Sequence, residues 1–140
     1  MQTLSAEPAV DAVGREGFVR EIDRVVRGLS HTSQRLTLFC LEFDGIEPGL
    51  ARHLARRFAG LVGILVELAD HRFVVVRLDR RGPLAESRSL LTLSADLGQA
   101  RRRARLRSLR AWSDAVVDAD YLLDELLAAA PLPIPSPAPG

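Results

Sequence analysis

The residue types best suited to chemistry lie in the segment Ala69–Arg72, between two apolar runs at 61–68 and 73–78. Asp70 and His71 could form an acid/base pair. Neighbouring residues at a hairpin tip are usually exposed turn residues, however, and no nucleophile pattern such as Gly-x-Ser-x-Gly accompanies them. The sequence therefore predicts no catalytic residue here. It leaves four candidates for ligand binding: Asp70, His71 and Arg72 in this segment, and Arg77 in the apolar run that follows.

Three acidic residues, Glu42, Asp44 and Glu47, follow another apolar run and could hold a lone cation, because magnesium prefers hard oxygen ligands. The simpler interpretation is that they are solvated acids at a loop, which leaves Glu42 and Asp44 as weak metal candidates. His31 and His53 have no partner at metal-ligand spacing and are expected on the surface. The sequence thus predicts no metal and no cofactor.

An arginine-rich segment at 101–107 could contact a polyanion, since each neutralised phosphate releases counterions. Its candidate residues are Arg101, Arg102, Arg103 and Arg105. Residues 52–110 carry 14 Arg against 5 acids, whereas residues 111–140 carry no Arg and 5 acids. This asymmetry also suits a basic helix packed beside an acidic one. Nucleic-acid binding is the less favoured interpretation, because the net charge is only +1 and aromatic residues for stacking are few.

Hydrophobic periodicity indicates which elements position these residues. Spacings of three and four predict amphipathic helices over Arg15–Ser30 and Pro48–Ala59. The continuous apolar run Leu36–Phe43 predicts a strand buried on both faces. The runs at 61–68 and 73–78, joined by four residues, predict a hairpin.

Beyond residue 83 the patterns are more ambiguous. A fourth strand is predicted near Ser89–Ala95, with a helix over 84–97 as the alternative, and "QARRRARLRSLRAW" at 99–112 is predicted to be helical from its propensity. A final acidic helix is predicted over Asp114–Ala130, with an apolar face that includes Val117, Tyr121 and Leu122.

A strand, a crossover helix and a hairpin predict a βαβ unit extended by an antiparallel strand. The fold class is therefore α/β, an α+β sandwich with a ferredoxin-like mixed sheet, a central β-hairpin and helices packed on it. The length suits one domain. We expect a flexible N-terminus over 1–14, a single domain over 15–130 and a disordered proline-rich tail over 131–140.

Three short segments add a resemblance: "ADHRF" at 69–73, "LEFDGIE" at 41–47 and the acidic "DADYLLDELLAAA" at 118–130. With the order of elements, they resemble a degenerate GGDEF domain, of the diguanylate cyclase family, over roughly 18–130. In active members, an acid that opens the strand-end motif and an acid in the fourth signature position hold two divalent cations. Glu42 matches the first position, but Arg72 matches the second and places a cation where a metal should bind.

Other positions depart from the family pattern. The two signature glycines are Ala69 and Asp70, the segment expected to recognise the guanine base is largely missing after Glu47, and Gly60 and Gly63 stand where the inhibitory product site would be. The resemblance therefore implies a bacterial signalling pseudo-enzyme: a non-catalytic regulatory or protein-interaction module. The alternatives are nucleic-acid binding through an Arg-rich helix and nucleotide binding without turnover, with Arg72 and Arg77 on the phosphates.

Partners and compartment follow from weaker signals. No run approaches the length of a membrane span, and the single cysteine, Cys40, cannot form an intramolecular disulfide. We expect a cytoplasmic protein without a membrane partner. Its partner is expected to be another protein or a second copy, as a homodimer.

Overall fold

The computed structural model describes residues 11–29, 32–61, 63–78, 83–116 and 118–135. Within these ranges, four helices, five strands and one short 3-10 turn follow one another. In order they are α1 (Ala12–Gly28), β1 (Arg35–Asp44), α2 (Pro48–Ala59), β2 (Ile64–Ala69), β3 (Arg72–Leu78), α3 (Pro83–Ala100), β4 (Arg103–Trp112), the 3-10 turn Ser113–Ala115, α4 (Ala119–Ala128) and β5 (Pro131–Leu132).

The strands form one sheet in the order β2-β3-β1-β4-β5. This arrangement confirms the predicted α+β fold class, with the hairpin β2–β3 at one edge of the sheet rather than at its centre. All four neighbouring pairs are antiparallel, so the sheet is not mixed. The reason is that β1 and β2, which run in the same direction, are separated by β3.

Helices cover both faces of the sheet. On one face α1 and α4 pack over Leu38 of β1 and Val74 of β3. On the other face α2 and α3 pack over Phe39 of β1 and Val75 of β3. Both faces of β1 are therefore buried, as its continuous apolar run predicts, and the strand becomes the centre of the domain.

The packing of α1 depends on a close approach to β2. Phe18 and Ile22 of α1 are fully buried. A Cβ on Gly14 would lie 2.7 Å from the Cα of Leu68, so only glycine allows this contact without a shift of backbone. The amide of Asp11 donates to the Leu68 carbonyl at 2.9 Å, which fixes the start of the helix against the end of β2.

The predicted order of elements over 83–112 is wrong. Ser89–Ala95 lies inside α3, because Leu90, Leu93 and Leu97 recur on one side of a helix and pack into the core beside α2. The segment predicted as an Arg-rich helix is β4, whose ten residues all pair with β1. The alternation of arginine with Ala104 and Leu106 suits a strand that has one face in the core.

Three predictions about the ends of the chain also need correction. Residues 12–14 belong to α1 and are not a flexible N-terminus. Tyr121 is 63% exposed rather than packed on the apolar face of α4. Residues 131–135 are placed: β5 pairs with β4, Ile134 packs against the core, and the Ser94 hydroxyl donates to the Pro135 carbonyl. Residues 1–10 and 136–140, and Val117, lie outside the described residues.

Within the described part of the chain, we find no helix with the length and apolarity to cross a membrane.

Candidate functional site

Glu42, at the end of β1, is flanked by an arginine on each neighbouring strand. Its register partners are Arg72 of β3 and Arg105 of β4. The Arg72 guanidinium forms an ion pair with one Glu42 oxygen, and Arg105 Nη1 lies 3.4 Å from the other. The side chains of Arg72 and Glu42 are only 19% and 22% exposed. We call these three residues the Glu42 row.

The Glu42 row lies at the edge of a small cavity on the α1/α4 face of the sheet, lined also by Cys40, Arg107 and Leu127. Its volume is about 10 Å³, close to the minimum that holds one water molecule, and it is partly open to solvent. Pockets for drug-sized ligands usually measure about 300 to 1,000 Å³, so this cavity is far too small for a nucleotide. Three arginines and one carboxylate give it a net positive charge.

Arg107 connects the cavity to α4. Its Nη1 donates to the Leu127 carbonyl at 2.8 Å, in the last turn of the helix. The last four carbonyls of a helix lack intrahelical donors and carry partial negative charge. Since the last turn of α4 contains no basic residue of its own, the strand β4 beneath the helix supplies this cation.

Cys40 is buried beside the cavity and carries a free thiol. Burial raises its pKa to about 11, against smaller opposing effects of Arg72 and Arg107. The thiolate is the reactive form of cysteine, so this thiol is protonated and inert near neutral pH. Its role is packing under the arginines.

The hairpin tip is a two-residue turn, Asp70-His71, and is tighter than the four residues predicted. The His71 ring bonds through Nε2 to the Ile46 carbonyl at 2.6 Å. Because a carbonyl can only accept, Nε2 carries a proton in this contact. The His71 carbonyl accepts from the amide of Phe43 at 2.8 Å. His71 therefore ties the hairpin to the loop after β1, and Asp70 lies exposed beside it.

Arg77 is far from this cavity, because it lies on the opposite face of β3. Its Nη2 donates to the Phe58 carbonyl and, at 3.0 Å, to the Ala59 carbonyl at the end of α2. Its guanidinium lies over the rings of Phe39 and Phe58, 5.8 and 5.4 Å from their centroids. Burial lowers its pKa, against a smaller raising effect of Glu86. Arg77 is thus a half-buried cap for α2.

The structure does not bring Arg72 and Arg77, the two predicted phosphate ligands, together in one site. The two residues are five positions apart on a strand, and odd spacings place side chains on opposite faces of a sheet. Helices α2 and α3 pack on one of these faces, and α1 and α4 on the other.

The two candidate metal ligands differ in their surroundings. Glu42 is held in its row, and Asp44 Oδ1 lies 3.9 Å from Arg105 Nη2. Within the ranges described, no three His, Cys, Asp or Glu side chains come together as a metal site would require. Glu47 and His53 are exposed on the loop before α2 and on α2, and His31 lies outside the described residues.

The remaining polyanion candidates lie where α3 turns into β4. Arg101 has a φ of 55°, and its amide donates to the Gly98 carbonyl at 3.2 Å. The amide of Arg102 donates to the Leu97 carbonyl at 3.0 Å. These two bonds form a Schellman motif, which ends the helix. Arg101, Arg102 and Arg103 are exposed. We call these three residues the arginine turn.

The basic segment is the strand β4, so the interpretation of two helices packed side by side is wrong, and in the described part of the chain no acid of α4 forms an ion pair with that strand. Arg15 of α1 pairs instead with Asp120 at 2.9 Å and with Asp124 at 3.0 Å. The hydrogen bonds that Arg15 donates, first to Asp120 and then to Asp124, raise its pKa. Asp120 and Asp124 thus join α4 to α1 through ion pairs with Arg15.

Comparison with family models, with curated proteins and with solved structures finds no match to this chain. The GGDEF resemblance accordingly depends on the segments quoted from the sequence. Sequence reasoning missed Arg107 and Cys40 as neighbours of Glu42. The signal that could have found Arg107 is its spacing of two from Arg105, which places both arginines on one face of a strand.

Proposed function

We propose that this domain is a non-catalytic, GGDEF-like regulatory module that acts through contacts with another protein. The observation that carries the proposal is the Glu42 row. The two positions that the resemblance assigns to metal ligands are an acid and an arginine, and they neutralise each other across two strands. A former metal-binding edge would in this way have become part of the fold.

Electrostatics supports the absence of catalysis. A divalent cation beside Glu42 would lie within a few ångströms of the Arg72 guanidinium and near Arg105 and Arg107. Like charges at about 4 Å repel by roughly 4 kcal/mol at an effective dielectric constant near 20, and a double charge doubles that figure. The attraction of one already paired carboxylate does not offset this repulsion.

The proposed mode of action includes self-association through the helical face formed by α2 and α3. Together with the turn that follows α2, this layer exposes three large apolar residues: Leu50 at 38%, Leu61 at 104% and Leu91 at 61%. A homodimer in the cytoplasm would cover them. The buried, protonated Cys40 suits that compartment, because it needs no oxidising partner.

Titration calorimetry with GTP and magnesium, combined with a turnover assay for cyclic dinucleotide, tests the absence of catalysis. We expect neither heat of binding nor product at millimolar nucleotide. An active diguanylate cyclase serves as the assay control. Micromolar binding together with product would contradict the proposal.

Analytical ultracentrifugation tests self-association. We expect a dimer that Leu91→Glu dissociates, because a charge would enter the buried apolar patch. Val13→Glu is the matched control, since Val13 is 78% exposed on α1, over the opposite face of the sheet. A monomer at all concentrations, or a dimer equally weakened by both substitutions, would exclude the helical face as the interface.

A further inference from the structure

The exposed arginines of this domain fall into two groups. One group is engaged by acids within the chain, at 2.6 to 3.0 Å: Arg15, Arg24, Arg52, Arg57 and Arg110. The arginine turn belongs to the other group, because no acid of the described residues lies within ion-pair distance of Arg101, Arg102 or Arg103. Three consecutive exposed cations therefore project from one end of the sheet without internal compensation.

The conformation of Arg101 adds an independent observation. The position after a helix end in a Schellman motif is left-handed and is usually glycine, since a Cβ is disfavoured there. Arg101 occupies it with a φ of 55°, and it is the sole non-glycine residue with positive φ within the described ranges. Unfavourable backbone conformations of this kind cluster at functional sites. Position 101 therefore carries an arginine although glycine there would stabilise the fold.

We propose that the arginine turn binds a short acidic segment of a partner protein. This inference rests on the proposed function, because it names the chemistry of the partner that a regulatory module would contact. Arg105 extends the basic surface along β4, since its own contacts to Glu42 and Asp44 are long, at 3.4 and 3.9 Å.

Acids at the same end of the sheet argue for a short acidic peptide rather than a nucleic acid. Asp44 is the register partner of Arg103. Asp70 and Glu47 each neighbour a residue of the His71–Ile46 hydrogen bond, which joins the hairpin tip to the loop after β1. A long, uniformly charged backbone would meet these carboxylates as well as the arginines. An acidic segment of a few residues can be placed on the turn alone.

Fluorescence anisotropy with a labelled decaglutamate peptide, at low and at physiological salt, tests the inference on the full chain. We expect saturable binding that weakens as salt rises. The triple variant Arg101→Gln/Arg102→Gln/Arg103→Gln should weaken it about tenfold, since each exposed ion pair contributes a factor of roughly two to five. A matched control removes three other exposed arginines that have no acidic partner among the described residues, as Arg20→Gln/Arg27→Gln/Arg56→Gln, and should bind like the original chain.

The single variant Arg101→Gly separates a functional arginine from a merely solvated one. We expect its melting temperature to rise by a few degrees, because glycine relieves the left-handed backbone. We expect its affinity for decaglutamate to fall at the same time. An unchanged affinity would overturn the role of Arg101.

Three other results would overturn the inference. They are no binding at low salt, equal losses in the triple variant and its matched control, and tighter binding of a single-stranded oligonucleotide of equal charge. The last result would assign the surface to nucleic acid. None of them bears on catalysis, which the turnover assay measures separately, so failure of this inference and failure of the proposed function are distinguishable.

Discussion

The Glu42 row and the arginine turn lie at the same end of the sheet, and both are rich in arginine, yet their arginines differ in surroundings. In the row, Arg72 is about four-fifths buried and paired with a carboxylate across the strands. In the turn, the side chains are exposed and no acid of the described residues pairs with them. The difference comes from register: a strand position faces fixed neighbours, whereas a turn position faces solvent. The number of arginines in a segment therefore says little about which of them can contact a partner.

The largest expected effect is a pH-dependent loss of stability caused by Cys40, which is packed beside the row. Burial raises the pKa of Cys40 to about 11 from its ordinary value of 9.0. Below pH 9 the thiol is protonated in both states. Between about pH 9 and 11 the unfolded chain loses this proton and the folded chain keeps it, so stability falls as pH rises. The full effect corresponds to roughly 3 kcal/mol.

Urea unfolding at several values between pH 8 and 11 measures this loss. Cys40→Ala should show the shallower dependence, because it lacks the titrating group. Parallel curves for the two proteins would mean that the thiol beside the row is not shielded from solvent.

Glu42→Gln should have the next largest effect, because it leaves two guanidiniums of the row without their carboxylate. We expect the free energy of unfolding to fall by about 2 kcal/mol, as for loss of a charged and partly buried hydrogen bond. Chemical denaturation measures it. Glu47→Gln is the matched control at an exposed acid and should change stability by less than about 0.5 kcal/mol. Equal losses of stability in the two variants would show that Glu42 contributes no more to folding than an exposed acid does.

Arg107→Gln should destabilise the protein by about 1 kcal/mol, because the Leu127 carbonyl at the end of α4 loses its cationic donor. Arg105→Gln provides the comparison on the same strand face, and its long contacts predict a smaller loss, below about 0.5 kcal/mol. Thermal or urea unfolding of both variants gives the answer. A reversed order would show that Arg105, not Arg107, connects β4 to its neighbours.

The smallest effect is expected in the arginine turn. Arg103→Gln should leave the free energy of unfolding unchanged within about 0.5 kcal/mol, since the side chain is exposed and has no acidic partner in the described residues. Denaturation under the same conditions as for Glu42→Gln makes the comparison direct. A loss as large as that of Glu42→Gln would mean that the turn, too, is part of the internal ion-pair network.

The first half of the fold could be predicted because its patterns are unambiguous. Spacings of three and four residues mark α1 and α2, and continuous apolar runs mark β1 and the hairpin strands. The second half could not be predicted, because in β4 the helix propensity of the residues disagrees with their polar–apolar alternation. Arginine and alanine favour helices, but Arg103 to Ser108 alternate between polar and small or apolar residues, which is the pattern of a strand. The segment forms a strand because all ten of its residues pair with β1.

The candidate site was less predictable than the fold, because it depends on register between strands distant in sequence. Residues 42, 72 and 105 become neighbours only when β3 and β4 both pair with β1 in the observed alignment. An irregularity between Glu67 and Ala69 also adjusts the hairpin close to its turn. A helix over 99–112, as the propensity of this segment predicts, does not place Arg105 beside Glu42.

A double-mutant cycle on Glu42 and Arg72 tests most directly the central claim that this carboxylate is engaged by arginine and is not free to hold a cation. Stabilities of the original chain, Glu42→Gln, Arg72→Gln and the double variant are measured by urea unfolding without added metal. The structure predicts a favourable coupling free energy of at least about 1 kcal/mol. A coupling of zero, with each substitution acting independently, would contradict the claim.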